Sequence, residues 1–144
     1  MSTNFIGLDT AKTEKLAENL NTLLSNYQIF YMNVRGYHWN IKGDNFFELH
    51  AKFEELYDDL LLKIDEVAER VLTLGHRPAH AYSTYIERSE VPERKDVQNG
   101  KEAVENIVES FAKLIRKQRD LLSLAGEADD EGTVALMSDY ISEQ

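Results

Sequence analysis

Apolar residues recur at three- and four-residue intervals along most of the chain, which places them on one face of an α-helix. This spacing predicts long helices over about 9–41, 46–74 and 96–125, and a final helix from about 131 onward. No stretch of useful length alternates between apolar and polar residues as a half-buried strand would. The pattern therefore predicts an all-α chain with four main helices.

The residues between the helices predict how the helices are connected. Asn45 and Glu48 resemble a capping box that starts the second helix, while Gly75 and Pro78 are well placed to end it. A short helix is predicted over about 83–88, inside the long connection to the third main helix. Four helices with one long crossover describe a ferritin-like four-helix bundle.

A helical wheel of the second helix, at about 100° per residue, separates three faces. The apolar face, expected to meet the core, holds Phe46, Leu49, Phe53, Leu56, Leu60, Ile64, Val67, Val71 and Leu74. A face of mixed charge, expected to be solvated, holds Glu48, Lys52, Glu55, Asp59, Lys63, Glu66 and Arg70. The third face mixes His50, Glu54, Asp58, Asp65 and Glu69 with Phe47, Leu61, Ala68 and Leu72.

The third face requires an explanation, because a complete solvated face exists elsewhere on the same helix. Burying its apolar residues against another surface would also bury its carboxylates. Carboxylates that leave water together repel one another and take up protons, unless a cation neutralises them. The pattern therefore favours a metal site, although each acid taken alone would more often be an ordinary surface residue.

One copy of this helix cannot assemble the site, since His50 and Glu69 stand about 28 Å apart at 1.5 Å per residue. Two antiparallel copies related by a two-fold axis can, because facing residues then have residue numbers with a constant sum. His50 with Glu69, and Glu54 with Asp65, both give 119. One register therefore brings both pairs together and predicts two equivalent sites per dimer.

His38, near the end of the first helix, is the remaining imidazole candidate. A single His on an apolar face is more often a hydrogen-bonded core residue, but the nearby ligand set favours a ligand role. Mixed imidazole and carboxylate ligation suits Fe, Mn or Zn. Composition does not choose among these metals.

The chain has 144 residues, which fits one domain, and it contains no Cys, so disulfides and thiolate metal sites are excluded. No basic region followed by an apolar stretch opens the chain, and no apolar run reaches the length of a membrane span. We therefore expect a soluble cytoplasmic protein with no membrane partner. The net charge of -10 argues against DNA binding through the folded surface.

Three motifs together resemble the Dps family of ferritin-like mini-ferritins over nearly the whole chain. They are His38-Trp-Asn, His50-Ala-Lys-Phe-Glu54 and Asp65-Glu-Val-Ala-Glu69, and many family members have Asp where Glu54 stands. The resemblance implies a hollow dodecamer that binds Fe(II), oxidises it to Fe(III), preferentially with hydrogen peroxide rather than oxygen, and stores ferric mineral. It also implies protection against oxidative stress.

The same resemblance assigns roles to individual residues. His38, His50 and Glu54 would come from one subunit, and Asp65 and Glu69 from its partner. Candidates for an acidic iron-entry pore are Asp120, Glu127 and Asp130, for which an ordinary acidic helix end is the alternative reading.

The chain departs from the family pattern in two respects. It has no Lys-rich tail, so DNA binding is expected to be weak or absent, and it ends at Gln144, before a short Trp-containing segment that is usual in the family. Three other readings compete. A larger ferritin would need Glu-x-x-His motifs, which the sequence lacks. The others are a structural DNA-compacting protein with secondary metal binding, and a helical assembly without metal.

Overall fold

The computed structural model describes residues 7–144 and contains five α-helices in this range. They are α1 (Thr10–Asn40), α2 (Phe46–Thr73), α3 (Tyr82–Arg88), α4 (Gly100–Glu127) and α5 (Glu131–Glu143). The described residues form no strand, and Lys42 and Asn99 form an isolated bridge. The predicted four-helix bundle, with its short helix in the crossover, is confirmed.

Helix α1 is the centre of the bundle, and it contacts α2, α3 and α4. Its core residues Leu16, Leu20, Tyr27 and Phe30 are completely buried. Short turns join α1 to α2 and α4 to α5, so each of these pairs is antiparallel. This pairing leaves one side of α2 outside the contacts with α1.

The long crossover is fixed to α1 by three buried Asn side chains. The Asn21 amide accepts a hydrogen bond from the Ala79 backbone N–H and donates to the Arg77 carbonyl. The Asn33 amide does the same with the Arg94 N–H and the Pro92 carbonyl, and Asn26 accepts from the Glu90 N–H. These Asn side chains of α1 thus supply hydrogen-bond partners for backbone groups of the crossover, which has little regular structure.

Helix α2 starts and ends where the sequence predicted, but its start lacks the predicted capping contact. The Asn45 side chain makes no hydrogen bond to the first turn, although Phe46 is the first helical residue. At the other end, Gly75 has a φ of 83°, and its N–H and that of His76 bond back to Leu72 and Val71. These two bonds form a Schellman motif, which explains the Gly at this position.

Helix α4 begins four residues later than predicted and ends two residues later. Asp96 has a φ of 59°, outside helical geometry, and the Asn99 side chain caps the helix by accepting from Lys101 and Glu102. The helix continues through Gly126 and ends in a second Schellman motif with Asp129 at a φ of 58°. Asp is one of the few residues other than Gly that tolerate this conformation.

The prediction that the mixed-charge face of α2 is solvated holds at Glu66, which is exposed, but it is wrong at Lys63, which is buried, and at Arg70, which is half-buried. Lys63 pairs with Glu143, the Glu66 carboxylate accepts a hydrogen bond from Tyr140, and Arg70 pairs with Asp130. All three partners belong to α5 or to the residue that caps it. Long charged side chains therefore cross the gap between α2 and α5. Helical periodicity alone cannot distinguish this arrangement from a solvated surface.

Within residues 7–144, none of the helices is both long and apolar enough to cross a membrane.

Candidate metal centre

The structure brings the two predicted His ligands into direct contact. The rings of His38 on α1 and His50 on α2 stack with centroids 3.6 Å apart and an angle of 16° between their planes. The Phe46 ring stacks on the His50 ring, with centroids 5.1 Å apart. His38 is buried and His50 is half-buried. The α1–α2 hairpin thus assembles the imidazole end of the site within one chain.

Reciprocal hydrogen bonds to the backbone fix both rings. Nδ1 of His38 lies 2.6 Å from the His50 carbonyl oxygen, and Nδ1 of His50 lies 2.8 Å from the His38 carbonyl oxygen. A carbonyl oxygen only accepts, so each Nδ1 must carry the proton and donate it. In the neutral rings, both Nε2 atoms are then unprotonated, which is the state that a metal ligand requires.

Glu54 lies one helical turn after His50 and on the same side of α2. The Tyr57 hydroxyl donates to Oε1 of Glu54 across 3.4 Å, and the Tyr57 ring contacts the edge of the His38 ring at 5.3 Å. Burial raises the pKa of Tyr57, and the neighbouring Glu54 charge raises it further. The hydroxyl therefore keeps its proton at neutral pH and remains a donor to the carboxylate.

Asp65 and Glu69 are exposed and lie farther along α2. Because α2 is one continuous helix, Glu69 stands about 28 Å from His50 along its axis. Within the described residues of a single chain, no three His, Asp or Glu side chains are arranged to hold a metal ion. The structure therefore brings His38, His50 and Glu54 to one end of α2 and leaves Asp65 and Glu69 at the other.

Large apolar side chains are exposed on the same face of α2 as these acids. Phe47 is 83% exposed, Leu72 is 59% exposed and Leu61 is 50% exposed. Large exposed apolar residues that lie along one face of a helix often mark a protein–protein interface.

Comparison with known proteins identifies the family. A model of the ferritin-like domain matches residues 17–144. The "DNA protection during starvation protein" of Porphyromonas gingivalis is 41% identical over 138 residues, covering 96% of this chain and 87% of that protein. The chain belongs to the Dps family of ferritin-like proteins.

Solved structures of Dps proteins have the same fold. A Dps protein from Vibrio cholerae O1, described as a member of a broad superfamily of ferritin-like diiron-carboxylate proteins, matches with a TM-score of 0.97 and 59% identity. That match covers 99% of this chain and 90% of the other. A Dps protein from Bacillus brevis matches with a TM-score of 0.90 and 32% identity, covering 94% and 91%.

The three candidate pore residues of this Dps chain have different environments. Asp120 and Glu127 are exposed and lie two helical turns apart on α4. Asp130, in contrast, is only 2% exposed, pairs with Arg70, and caps α5 by accepting from the Thr133 N–H. This placement argues against a pore-lining role for Asp130, because its carboxylate is buried and already pairs with the Arg70 guanidinium.

Sequence reasoning missed the cationic and aromatic residues beside the His pair. The Arg35 guanidinium lies 4.7 Å from the Trp39 ring centroid and 5.1 Å from that of Tyr57, and it donates to the Tyr31 hydroxyl. The hydrogen bond to Tyr31 raises the pKa of Arg35. The spacing could have indicated these contacts, because residues three apart are neighbours on a helix surface. Arg35 precedes His38 by three residues, and Tyr57 follows Glu54 by three.

Proposed function

We propose that this Dps protein is a ferroxidase and iron-storage protein that oxidises Fe(II) at sites shared between two chains. One observation carries the proposal. One face of α2 carries both His and carboxylate side chains and exposed apolar side chains. A single antiparallel register of two α2 helices would bring the proposed ligands together and bury apolar side chains against each other.

The register in which facing residue numbers sum to 119 pairs His50 with Glu69 and Glu54 with Asp65. In the same register Phe47 faces Leu72, so the most exposed apolar residue of α2 meets another exposed apolar residue. Burying these two side chains would supply a hydrophobic driving force of roughly 1.5–3 kcal/mol each. The contacts that form the dimer therefore also close the ligand set.

The ligand chemistry supports binding of Fe(II) as a substrate. Two imidazoles with unprotonated Nε2 atoms suit a divalent first-row metal, and carboxylate oxygens stabilise the higher charge of Fe(III). The Tyr57 hydroxyl orients Glu54, and the partner's Asp65 and Glu69 would complete the site. The ligands would thus favour the oxidised product over the substrate.

Hydrogen peroxide is the proposed preferred oxidant, with oxygen as the slower one. Two Fe(II) ions each lose one electron, and peroxide accepts both electrons and two protons to form two molecules of water. Because peroxide is reduced by two electrons, this reaction releases no hydroxyl radical. The proposed role is therefore storage of ferric iron in a dodecameric shell together with protection against oxidative stress in the cytoplasm.

Iron is proposed to enter through an acidic pore lined by Asp120 and Glu127. The chain's net charge of -10 favours the approach of cations. Asp120 lies beside Lys113, Arg116 and Lys117, and the Lys12 ammonium donates to the Glu127 carbonyl, so cations lie near both candidates.

Anaerobic calorimetric titration of the metal-free protein with Fe(II) tests the proposal. We expect saturable binding that is lost in the His50→Ala variant and retained in Lys52→Ala, whose side chain lies on another face of α2. If the wild-type protein shows no saturable binding, the metal-independent alternatives are favoured instead.

A further inference from the structure

The His50 imidazole lies between two other rings. The Phe46 ring stacks on it with centroids 5.1 Å apart and an angle of 22° between the planes, and the His38 ring stacks on it at 3.6 Å and 16°. Two rings placed side by side on one face of an imidazole would overlap at these distances, so Phe46 and His38 cover opposite faces of His50. The His50 ring is thus sandwiched between an apolar ring and the other proposed ligand.

Phe46 reaches this position from the first residue of α2. It precedes His50 by four residues, and side chains four apart are neighbours on a helix surface. Phe46 is half-buried and packs against the bundle core, and the Phe47 ring contacts it at an angle of 77° with centroids 5.2 Å apart. These contacts limit the freedom of the Phe46 ring to move away from His50.

Each imidazole has one further aromatic neighbour, but the two neighbours differ in chemistry. Tyr57 contacts the His38 ring at an angle of 81°, with centroids 5.3 Å apart, and its hydroxyl also donates to Glu54. Phe46 has no polar side-chain atom, so it acts on His50 through ring contact alone. A substitution of Phe46 therefore changes one kind of interaction and leaves the hydrogen bonds of the site in place.

The stacked rings fix a degree of freedom of His50 that its hydrogen bond does not. The bond from Nδ1 to the His38 carbonyl fixes the direction of one ring atom. A single bond of this kind leaves the ring free to tilt about it. The lone pair of Nε2 lies in the ring plane, so a tilt of the ring turns the lone pair away from a metal ion. The contacts on the two faces of the ring oppose this tilt.

We propose that Phe46 is a positioning residue of the iron site, and that it fixes the plane of the His50 imidazole so that Nε2 points at Fe(II). Phe46 does not touch the metal and acts through His50. The inference rests on the proposed iron-binding function and names a residue outside its ligand set.

The test compares Phe46→Leu, which keeps an apolar side chain but removes the ring, with Phe46→Tyr, which keeps the ring. Anaerobic calorimetric titration with Fe(II) measures the Kd of the assembled protein. We expect Phe46→Leu to raise the Kd about 10-fold, the size of effect seen when a ligand loses the group that orients it. Phe46→Tyr should bind Fe(II) as the wild-type protein does.

Phe111→Leu is the matched control, because Phe111 is also half-buried and stacks edge-on with Phe30, on a helix that supplies no proposed ligand. Urea denaturation should show a loss of stability in both Leu variants, whereas only Phe46→Leu should bind Fe(II) more weakly. If Phe46→Leu does not assemble, Phe46→Met takes its place with the same expected Kd.

Two results would overturn the inference. One is an assembled Phe46→Leu or Phe46→Met protein that binds Fe(II) as tightly as the wild-type protein, which would make Phe46 a packing residue only. The other is a Phe46→Tyr protein that binds as weakly as Phe46→Leu, because the ring would then not be the feature that matters. Absence of saturable binding by the wild-type protein would instead contradict the proposed function.

Discussion

At the scale of single residues, Arg70 shows how a charged group can be structural on the same helix that carries the proposed metal ligands. Its guanidinium pairs with the buried Asp130 and donates to the Thr133 hydroxyl across 2.9 Å. A Cβ at Gly132 would lie 2.6–2.7 Å from three atoms of this guanidinium. A side chain at position 132 would therefore displace the Arg70 guanidinium, whereas the backbone of Gly132 has no positive φ that favours Gly.

The first prediction compares two Gly→Ala substitutions in helices. Gly132→Ala should lower the free energy of unfolding by about 1–3 kcal/mol, because Arg70 must move away from its buried partners. Gly126→Ala should raise it by roughly 0.5–1 kcal/mol, since a Cβ there meets nothing within 4 Å and Ala favours the helix. Urea denaturation measures both values. Equal effects of the two substitutions would contradict the role given to Gly132.

Residue types and the family resemblance predicted that His38 and His50 belong to one site, but not that their rings stack. The sequence could not show that each ring donates to the other's backbone, because those bonds depend on how the α1–α2 hairpin closes. The assignment of Asp130 to a pore failed for a similar reason. An acid in an acidic corner looks exposed in the sequence, and its partner Arg70 lies 60 residues away.

At the scale of elements, α2 has three functions on three faces. One face packs in the core, one contacts α5 through long charged side chains, and one combines the proposed metal ligands with exposed apolar residues. Periodicity predicted the first and third faces. It could not predict the second, because the position of α5 depends on the turn at 128–130 and on tertiary contacts.

The second prediction concerns the exposed apolar residues of α2. Phe47→Glu should weaken self-association by roughly 100-fold or more, because an unpaired carboxylate would be buried against Leu72 of another chain. The fold of the chain should be unaffected, since Phe47 is 83% exposed. Analytical ultracentrifugation and circular dichroism measure the two properties.

Lys52→Glu is the control for this variant, because it changes the charge of α2 by a larger amount on another face. It should leave self-association unchanged. Should both variants assemble as the wild-type protein does, the proposed dimer interface lies elsewhere.

At the scale of the whole molecule, the charge of the chain predicts which ions it attracts and whether it binds DNA. The chain combines a net charge of -10 with a local group of basic residues, Lys113, Arg116 and Lys117, that lies beside Glu90 and Asp120. The acids next to this group reduce its attraction for phosphates, while the overall charge attracts metal cations.

The third prediction is therefore that the protein does not bind duplex DNA at physiological salt in the absence of magnesium. A gel-shift assay over a range of salt concentrations tests it. Retarded DNA at about 150 mM salt would contradict the charge argument and favour the DNA-compacting alternative.

Sharing of each site between two chains is the central claim, and mixing two inactive variants tests it most directly. One variant carries His38→Ala and His50→Ala, and the other carries Asp65→Ala and Glu69→Ala. In a dimer of one chain of each kind, one site has all its ligands and the other has none of these four.

The measurement is stopped-flow oxidation of Fe(II) by hydrogen peroxide, with each variant alone and after the two are unfolded and refolded together. Each variant alone should lose rapid oxidation. The mixture should recover about one quarter of the wild-type rate, since random pairing makes about half of the dimers mixed and each of these has one intact site of two. A mixture no faster than the variants measured separately would contradict the claim.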